Sequence, residues 1–552
     1  MAWFKRTFDT YRDNATSVRD FRSQLRGAKA VYLWGAYLAV LVIVAVSTYS
    51  STLGHSDGQI MWMQQQLQNF YYLIMALLAT TICVITPALT AGTIALERQR
   101  QSLDLLFSAP ASLKSLLVGK MLSSYRYTWM LLALALPISC ICVVVGGATW
   151  GDVLSAYLML SFSGIVLTSI GLLVSTLTTS ISAAVIWTYA AVAAYLSAIS
   201  SLAASSVSVP HSASWLAGLS PFTAAIAAPG SVSVFGLAVP NWVPVGLVSL
   251  AFSRIILLGA GSALSHFRSP ETISLRIHWV IYSIVGFFGL GWIASESFSR
   301  YNGPEQVNPI PAVAILGATL VSLLVIPNLV CYAKDEGRKY RDNGRFALRE
   351  AFTGARSGSL PYLLILWLSA FVSLPIGYLV AAATQVRIIQ PGYGGEDYFH
   401  TPMAWGAYLS SAVWSLGFIL MWWSIARWLS SRTGTLRFAR LSFIGTAVVL
   451  LGMPIPIISL LTNAGGQYDY NNGIHPLWSL SPFFPFLRQE TMAYAAIYGI
   501  VMMAIATMAY KTEVRPKPVS REKPPTVFIE AIPEVTTGVL IEDKRKRAAM
   551  SE

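Results

Sequence analysis

Runs of roughly twenty apolar residues, separated by polar stretches, constrain this chain more than any motif in it, since a run of that length spans the hydrocarbon core of a bilayer as a helix. Inside a bilayer a helix also satisfies its own backbone N–H and C=O groups once water is gone. The runs lie near residues 30–49, 70–92, 126–147, 153–175, 182–203 and 242–264 in the first half, and near 277–297, 311–332, 359–383, 403–425, 441–462 and 489–510 in the second. Only 11% of the 552 residues are charged while 55% are hydrophobic, too little charge to cover a soluble surface. The predicted fold class is an all-α polytopic membrane protein of about twelve transmembrane helices.

An even number of spans puts both termini on one side, and the bases say which. Alternate loops hold Arg98, Arg100, Lys114 and Lys120; Arg268 and Arg276; Lys334, Arg338, Lys339, Arg341, Arg345, Arg349 and Arg356; and Arg427, Arg432, Arg437 and Arg440. The intervening stretches 51–69, 204–241 and 463–487 hold no Lys or Arg, and the other intervening loops hold only Arg300 and Arg387. Bases stay on the cytoplasmic side, so both termini are expected in the cytoplasm of a multi-pass plasma-membrane protein. The short link after the fourth span is an uncharged exception. The net charge of +13 is then a topology signal, and no aromatic-basic interleaving points to nucleic acid.

Residues 1–29 carry Phe4, Phe8, Tyr11, Val18, Phe21 and Leu25 at helical spacing among bases, the pattern of an interfacial amphipathic helix rather than a cleaved signal. Residues 30–265 form a first six-helix unit and 266–510 a second, divergent one. The division into two six-helix repeats rests on collinear words: Pro87 before Glu97 and Pro327 before Glu336; Leu136-Pro137-Ile138 and Leu374-Pro375-Ile376; Trp215 with Leu219-Ser220-Pro221-Phe222, and Trp478 with Leu480-Ser481-Pro482-Phe483. Residues 511–552, rich in Pro and bases, read as a disordered cytoplasmic tail.

Chemistry of the enzymatic kind has no foothold here. The phosphate-loop motif is missing, since Gly119-Lys120 is followed by Met121, and no metal-spaced His cluster or nucleophile elbow occurs. No catalytic residue and no metal ligand is assigned. The four cysteines, Cys83, Cys140, Cys142 and Cys331, lie within apolar runs as core or lipid-facing thiols. Arg254 is the one charge near the middle of a span, either facing a central cavity or snorkelling to the interface. Trp215, Pro221 and Phe222, with Trp478, Pro482 and Phe483, sit in outer loops that either dip back as a gate or rest at the interface as ordered loops.

The stretch Pro87 to Lys120 turns from apolar to charged and amphipathic and back again, and a short helix along the membrane surface, able to dock a soluble partner, is expected at 95–112. Pro87, Ile94, Glu97-Arg98-Gln99-Arg100, Ser102-Leu103-Asp104-Leu105-Leu106, Ser108-Ala109-Pro110 and Gly119-Lys120 resemble the coupling-helix pattern of type-2 ABC transporter permeases. That resemblance implies a transport subunit, not itself an enzyme, whose partner is a separate ABC ATPase subunit supplying ATP and Mg; this chain binds no cofactor of its own. It implies that the coupling helix docks in a groove of the ATPase, with Leu103, Leu105, Leu106 and Phe107 as an apolar knob, Pro110 as a stop and Glu97, Arg98 and Arg100 forming rim ion pairs, although a helix that merely lies on lipid has the same amphipathicity. The bilayer and a second permease chain are the further partners considered, and an exported amphiphilic or hydrophobic substrate the expected cargo.

The corresponding loop of the second half, Lys334 to Gly358, keeps Glu336, Arg338 and Arg345 but lacks the Leu-Leu run, so weaker coupling is expected there. Two other classes stay open. A twelve-helix major-facilitator-type secondary carrier is suggested by Asp342-x-Gly344-Arg345, and a membrane-embedded transferase by Asp397 and His400.

Overall fold

Apolar runs that must close their own backbone hydrogen bonds become long helices, and their small and hydroxylated residues set how closely those helices pack. The computed structural model describes residues 15–25, 28–53, 60–101, 113–178, 180–207, 211–234, 237–264, 270–299, 325–331, 358–384, 405–433 and 492–512, with a few more between 348 and 352 and between 438 and 447. Helices α1 (Ala15–Leu25), α2 (Ala28–Leu53), α3 (Ile60–Ala91), α4 (Thr93–Gln99), α5 (Leu113–Val144), α6 (Trp150–Leu177) and α7 (Ile181–Val207) come first. A 3-10 helix (His211–Leu219), a single turn α8 (Ala224–Ala227) and strands β1 (Ser231–Val234) and β2 (Leu237–Pro240) follow. The rest is α9 (Trp242–Leu264), α10 (Pro270–Ser299), the short α11 (Ile326–Leu329), α12 (Ser359–Thr384), α13 (Trp405–Arg432) and α14 (Met492–Thr512).

Eight stretches among the described residues are long and apolar enough to cross a membrane, and α2 and α14 hold shorter apolar stretches, Trp34–Ser47 and Gly499–Met508. This is a multi-pass helical membrane protein. The expected spans 311–332 and 441–462 fall mostly outside the described residues. Several helices outrun their expected spans, α3 and α5 the longest at 32 residues each, about 48 Å at 1.5 Å per residue, against about 30 Å of hydrocarbon. Packing carries α5 past its apolar run, because Lys120, Ser123 and Ser124 at its start are buried.

The connection from α5 to α6 shows how local chemistry fixes a hairpin. Gly146 has φ +90°, Gly147 N–H donates to Cys142 O at 2.9 Å and Gly146 N–H to Val143 O at 3.1 Å, the paired bonds of a Schellman stop. Gly147 also packs so tightly that a Cβ would lie 2.4 Å from Leu67 O. Thr149 then opens α6 with a capping box: its hydroxyl accepts Asp152 N–H at 3.2 Å, and the Asp152 carboxylate accepts Thr149 N–H at 3.0 Å.

Helix α6 is the axis of the first half: 78% of its most apolar stretch is buried, against 6% for α10. Its Gly171 meets α3 where a Cβ would lie 2.1 Å from Thr90 Oγ1, and its Gly164 faces Thr128 of α5. Polar pairs join neighbouring helices inside the bundle: Thr86 with Thr128 at 3.0 Å, Ser139 with Tyr157 at 2.7 Å and Tyr125 with Ser161 at 2.6 Å. The main core draws on α2, α3, α5, α6, α7 and α9 and extends into the stretch before α9, where Ala217, Leu219, Ala224 and Ala227 are buried.

That stretch departs from the all-helical expectation. Strands β1 and β2 pair antiparallel in register Ser231↔Pro240 and Val232↔Val239, and buried Asn241 closes them by donating from Nδ2 to Ala227 O at 3.0 Å. In the second half, α10 and α12 touch backbone to backbone at Gly291 and Gly377, where a Cβ on either would lie 2.1 Å from a carbonyl of the other helix. Helices α13 and α14 do the same at Gly417 and Gly499. Along α13, Trp414, Phe418 and Trp422 stand one turn apart, with ring centroids 4.8 and 6.0 Å apart, and Phe443 packs on Trp422.

Candidate coupling site at one end of the bundle

Helix α3 delivers the chain to the segment under suspicion, and Gly92 separates it from the seven-residue α4. No side chain of α4's own segment caps its start, and those free N–H groups need acceptors. Ser175 of α6 supplies one: its Oγ accepts from Ile94 N–H at 3.0 Å and Ala95 N–H at 3.2 Å. Arg98 completes the attachment from the other direction. Its guanidinium donates to Thr178 O at 2.7 Å and Thr176 O at 2.9 Å, carbonyls at the C-terminal end of α6, where a helix leaves its acceptors unpaired and its dipole negative.

A buried ion cluster holds the opposite flank. Lys120 of α5, with a side chain only 5% exposed, donates from Nζ to Glu97 Oε1 at 2.7 Å and lies 3.6 Å from Asp20 Oδ2 of α1. Arg19 flanks Asp20 at 3.1 Å from the exposed side. One short helix is therefore fastened to α6 by Arg98 and Ser175, to α5 by Glu97, and through Lys120 to α1. The chain then turns sharply, since Gln101 has φ +55°, a left-handed conformation unusual for a residue other than glycine.

These positions alter the expectations for this segment. A continuous helix over 95–112 is not what forms, because helix α4 ends at Gln99 and Gln101 leaves the helical region. Glu97 and Arg98, expected on a rim facing a partner, are half-buried and engaged within the chain, whereas Arg100 is exposed. Ser102, Leu103, Asp104, Leu105, Leu106 and Pro110 lie outside the described residues, as do Glu336, Arg338 and Arg345 of the second loop and Trp478, Pro482 and Phe483 of the second outer loop. In the first outer loop Trp215 is half-buried against the core, Pro221 is buried and Phe222 is exposed. Arg254 is exposed at the seam of α9 and α10, where it bonds to His278.

Sequence reasoning gave no part to Asp20, Ser175, Thr176 or Thr178, and it read Lys120 as a topology marker and a motif position. The available signal was Lys120 itself, a lone cation in LLVGKMLSS, which must find an acid once that helix face is buried. Arg276 was likewise taken for a loop base. It is buried, donates to Ala351 O at 2.8 Å and stacks over the Tyr362 ring at 5.2 Å.

The fold and this junction define the class as a polytopic helical membrane protein with a polar clamp at one end of its first helical bundle. Residues 14–229 match the family model of the ABC-2 type transporter, and this part of the chain is similar to that family. The match takes in α1 through α8 and the whole clamp. No curated protein matches the chain.

Proposed function

We propose that the chain is the permease subunit of an ATP-driven exporter, with ATP and Mg held by a separate ABC ATPase subunit that docks on residues 102–110. The observation that carries this reading is the clamp around α4: a segment fastened to the most buried helix and to the surface helix α1 is built to pass displacement on, whereas a helix merely resting on lipid needs no such ties. Leu103, Leu105 and Leu106 supply the docking knob and Arg100 the exposed charge, while Glu97 and Arg98 orient the knob from inside. The cargo is amphiphilic or hydrophobic. Both termini lie in the cytoplasm and the membrane is the plasma membrane, in keeping with the bases of the loops.

The same reading takes the two halves as six-helix repeats of twelve spans in all. It is supported by pairings that recur in order: the first expected span packs on the third and the fourth on the sixth, as the seventh packs on the ninth and the tenth on the twelfth. Pro137 and Pro375, inside α5 and α12, occupy the third span of each half.

Co-purification of candidate ATPase subunits with the wild-type chain and with Leu105→Asp plus Leu106→Asp tests the docking claim. The variant is expected to lose the ATPase while remaining monodisperse; full recovery with the folded variant overturns the claim. Transport into inverted vesicles that follows a proton gradient and ignores ATP favours a secondary carrier instead.

A further inference from the structure

Arg254 lies on the exterior of the bundle and is held in place there. Its Nε–H donates to His278 Nε2 at 3.1 Å. An imidazole nitrogen that accepts carries no proton, so the proton sits on Nδ1 and is donated to Ser274 O at 2.7 Å. His278 is thus neutral in this arrangement, and Tyr282 packs edge-on against it at 5.9 Å. Of the five guanidinium donors this fixes one. Those on Nη1 and Nη2 meet no acceptor among the described residues.

The surface around that fork is apolar: Leu247 and Leu250 on α9 and Ile277, Ile281 and Ile284 on α10 are all exposed. A belt of this kind faces acyl chains, and a guanidinium set in it is costly unless an anion meets it. Eight residues separate His278 from the start of α10, about 12 Å of rise. Helix α10, with 30 residues, is about 45 Å long and exceeds a hydrocarbon layer of about 30 Å. Centred in the layer, it projects about 7 Å on each side. The Arg254–His278 pair then lies just inside the boundary of the leaflet that adjoins the α9–α10 connection, within an arginine side chain's reach of the headgroups.

We propose that Arg254, positioned by His278, binds the phosphodiester of an anionic phospholipid in that leaflet. Two terminal N–H groups of a guanidinium match two phosphate oxygens, and the lipid's acyl chains cover the belt that a free phosphate would leave bare. The site requires only that α9 and α10 cross the membrane and is independent of the coupling reading.

Native mass spectrometry of the full chain, released from detergent with equal amounts of phosphatidylglycerol or phosphatidylcholine, tests it. The wild type is expected to retain phosphatidylglycerol about tenfold better, the scale of a charge-assisted bond. Arg254→Gln is expected to abolish that preference and Arg254→Lys to keep part of it, with millimolar inorganic phosphate displacing nothing. Equal retention of both lipids by the wild type, or an undiminished preference in Arg254→Gln, overturns the proposal. So does displacement of the lipid by inorganic phosphate, which would make this a site for a free anion. Should Arg254→Gln fail to accumulate, His278→Phe removes the positioning acceptor at similar bulk: a reduced preference supports the proposal and an unchanged one overturns it.

Discussion

Replacing Lys120 with Met isolates what the ion cluster contributes, because Met keeps the length and apolar bulk of the side chain and removes only its charge. Glu97 and Asp20 are 16% and 22% exposed at their side chains, and their near oxygens lie 2.7 and 3.6 Å from Nζ. Without the cation, the near oxygens of the two carboxylates lie no more than about 6 Å apart, as those two distances require, and at that separation repel by about 3 kcal/mol at an effective dielectric near 20. Breaking a buried pair by removing one partner costs about 3–5 kcal/mol, and the partial exposure of both acids places this case at the lower end, about 3 kcal/mol. Glu97→Gln in the Lys120→Met background removes the repulsion and is expected to restore about 1–2 kcal/mol. The measurement is the apparent melting temperature in one detergent, together with the unfolding rate at a fixed temperature, since large membrane proteins unfold irreversibly. The ordering is the diagnostic: wild type most stable, the double variant next, Lys120→Met least. A double variant no more stable than Lys120→Met would refute the electrostatic argument, and an unchanged Lys120→Met would refute the burial argument as well.

Two further outcomes follow from named contacts. Gly171→Ala places a Cβ 2.1 Å from Thr90 Oγ1 and 3.3 Å from Pro87 O, and should cost about 1–3 kcal/mol by overpacking; adding Thr90→Ala should recover part of that loss in the same thermal assay. Arg98→Ala removes both bonds from α4 to the end of α6 and should lower stability by about 1–3 kcal/mol, while reducing transport-linked ATPase stimulation much more than it reduces recovery of the ATPase. Equal losses in stimulation and recovery would mean that Arg98 acts in docking instead.

The spans were legible because hydrocarbon thickness imposes a length that apolar residues reveal without any knowledge of packing. Polar anchorage was not legible in the same way. Lys120 finds its acids 23 and 100 positions upstream, so no local spacing marks the cluster. Glu97 stands in the charged word ERQR, where a rim role reads as naturally as the inward one it has. Arg254 was visible as a lone charge in an apolar run, yet its partner His278 is 24 positions away on the next helix, and only the seam between α9 and α10 brings them together. The glycines at 291, 377, 417 and 499 are four among 40, and what sets them apart is backbone approach, which sequence does not display. The paired strands at 231–234 and 237–240 did carry an alternating word, SVSVFGLAVP, but it sits in a Gly-, Pro- and Ser-rich stretch without Lys or Arg, the composition of an outer loop.

The manner of anchorage also bears on how displacement would spread under the proposed function. A push on residues 102–110 reaches Gln101, a fixed left-handed turn, and then α4, whose two flanks lead to different places. Arg98 and Ser175 lead to α6, which is too buried to move alone and takes α3 and α5 with it through Gly171 and Gly164. Glu97 and Lys120 lead to Asp20 on α1, the short helix packed on α5. The second half offers a simpler tie: Arg276 holds Ala351 O, within the corresponding loop, against α10, whose apolar stretch is hardly buried at all. A displacement delivered at the first loop thus acts on the axis of its unit, whereas one delivered at the second acts on a peripheral helix, and on this reading the first half dominates coupling through its anchorage as much as through the sequence of its docking segment.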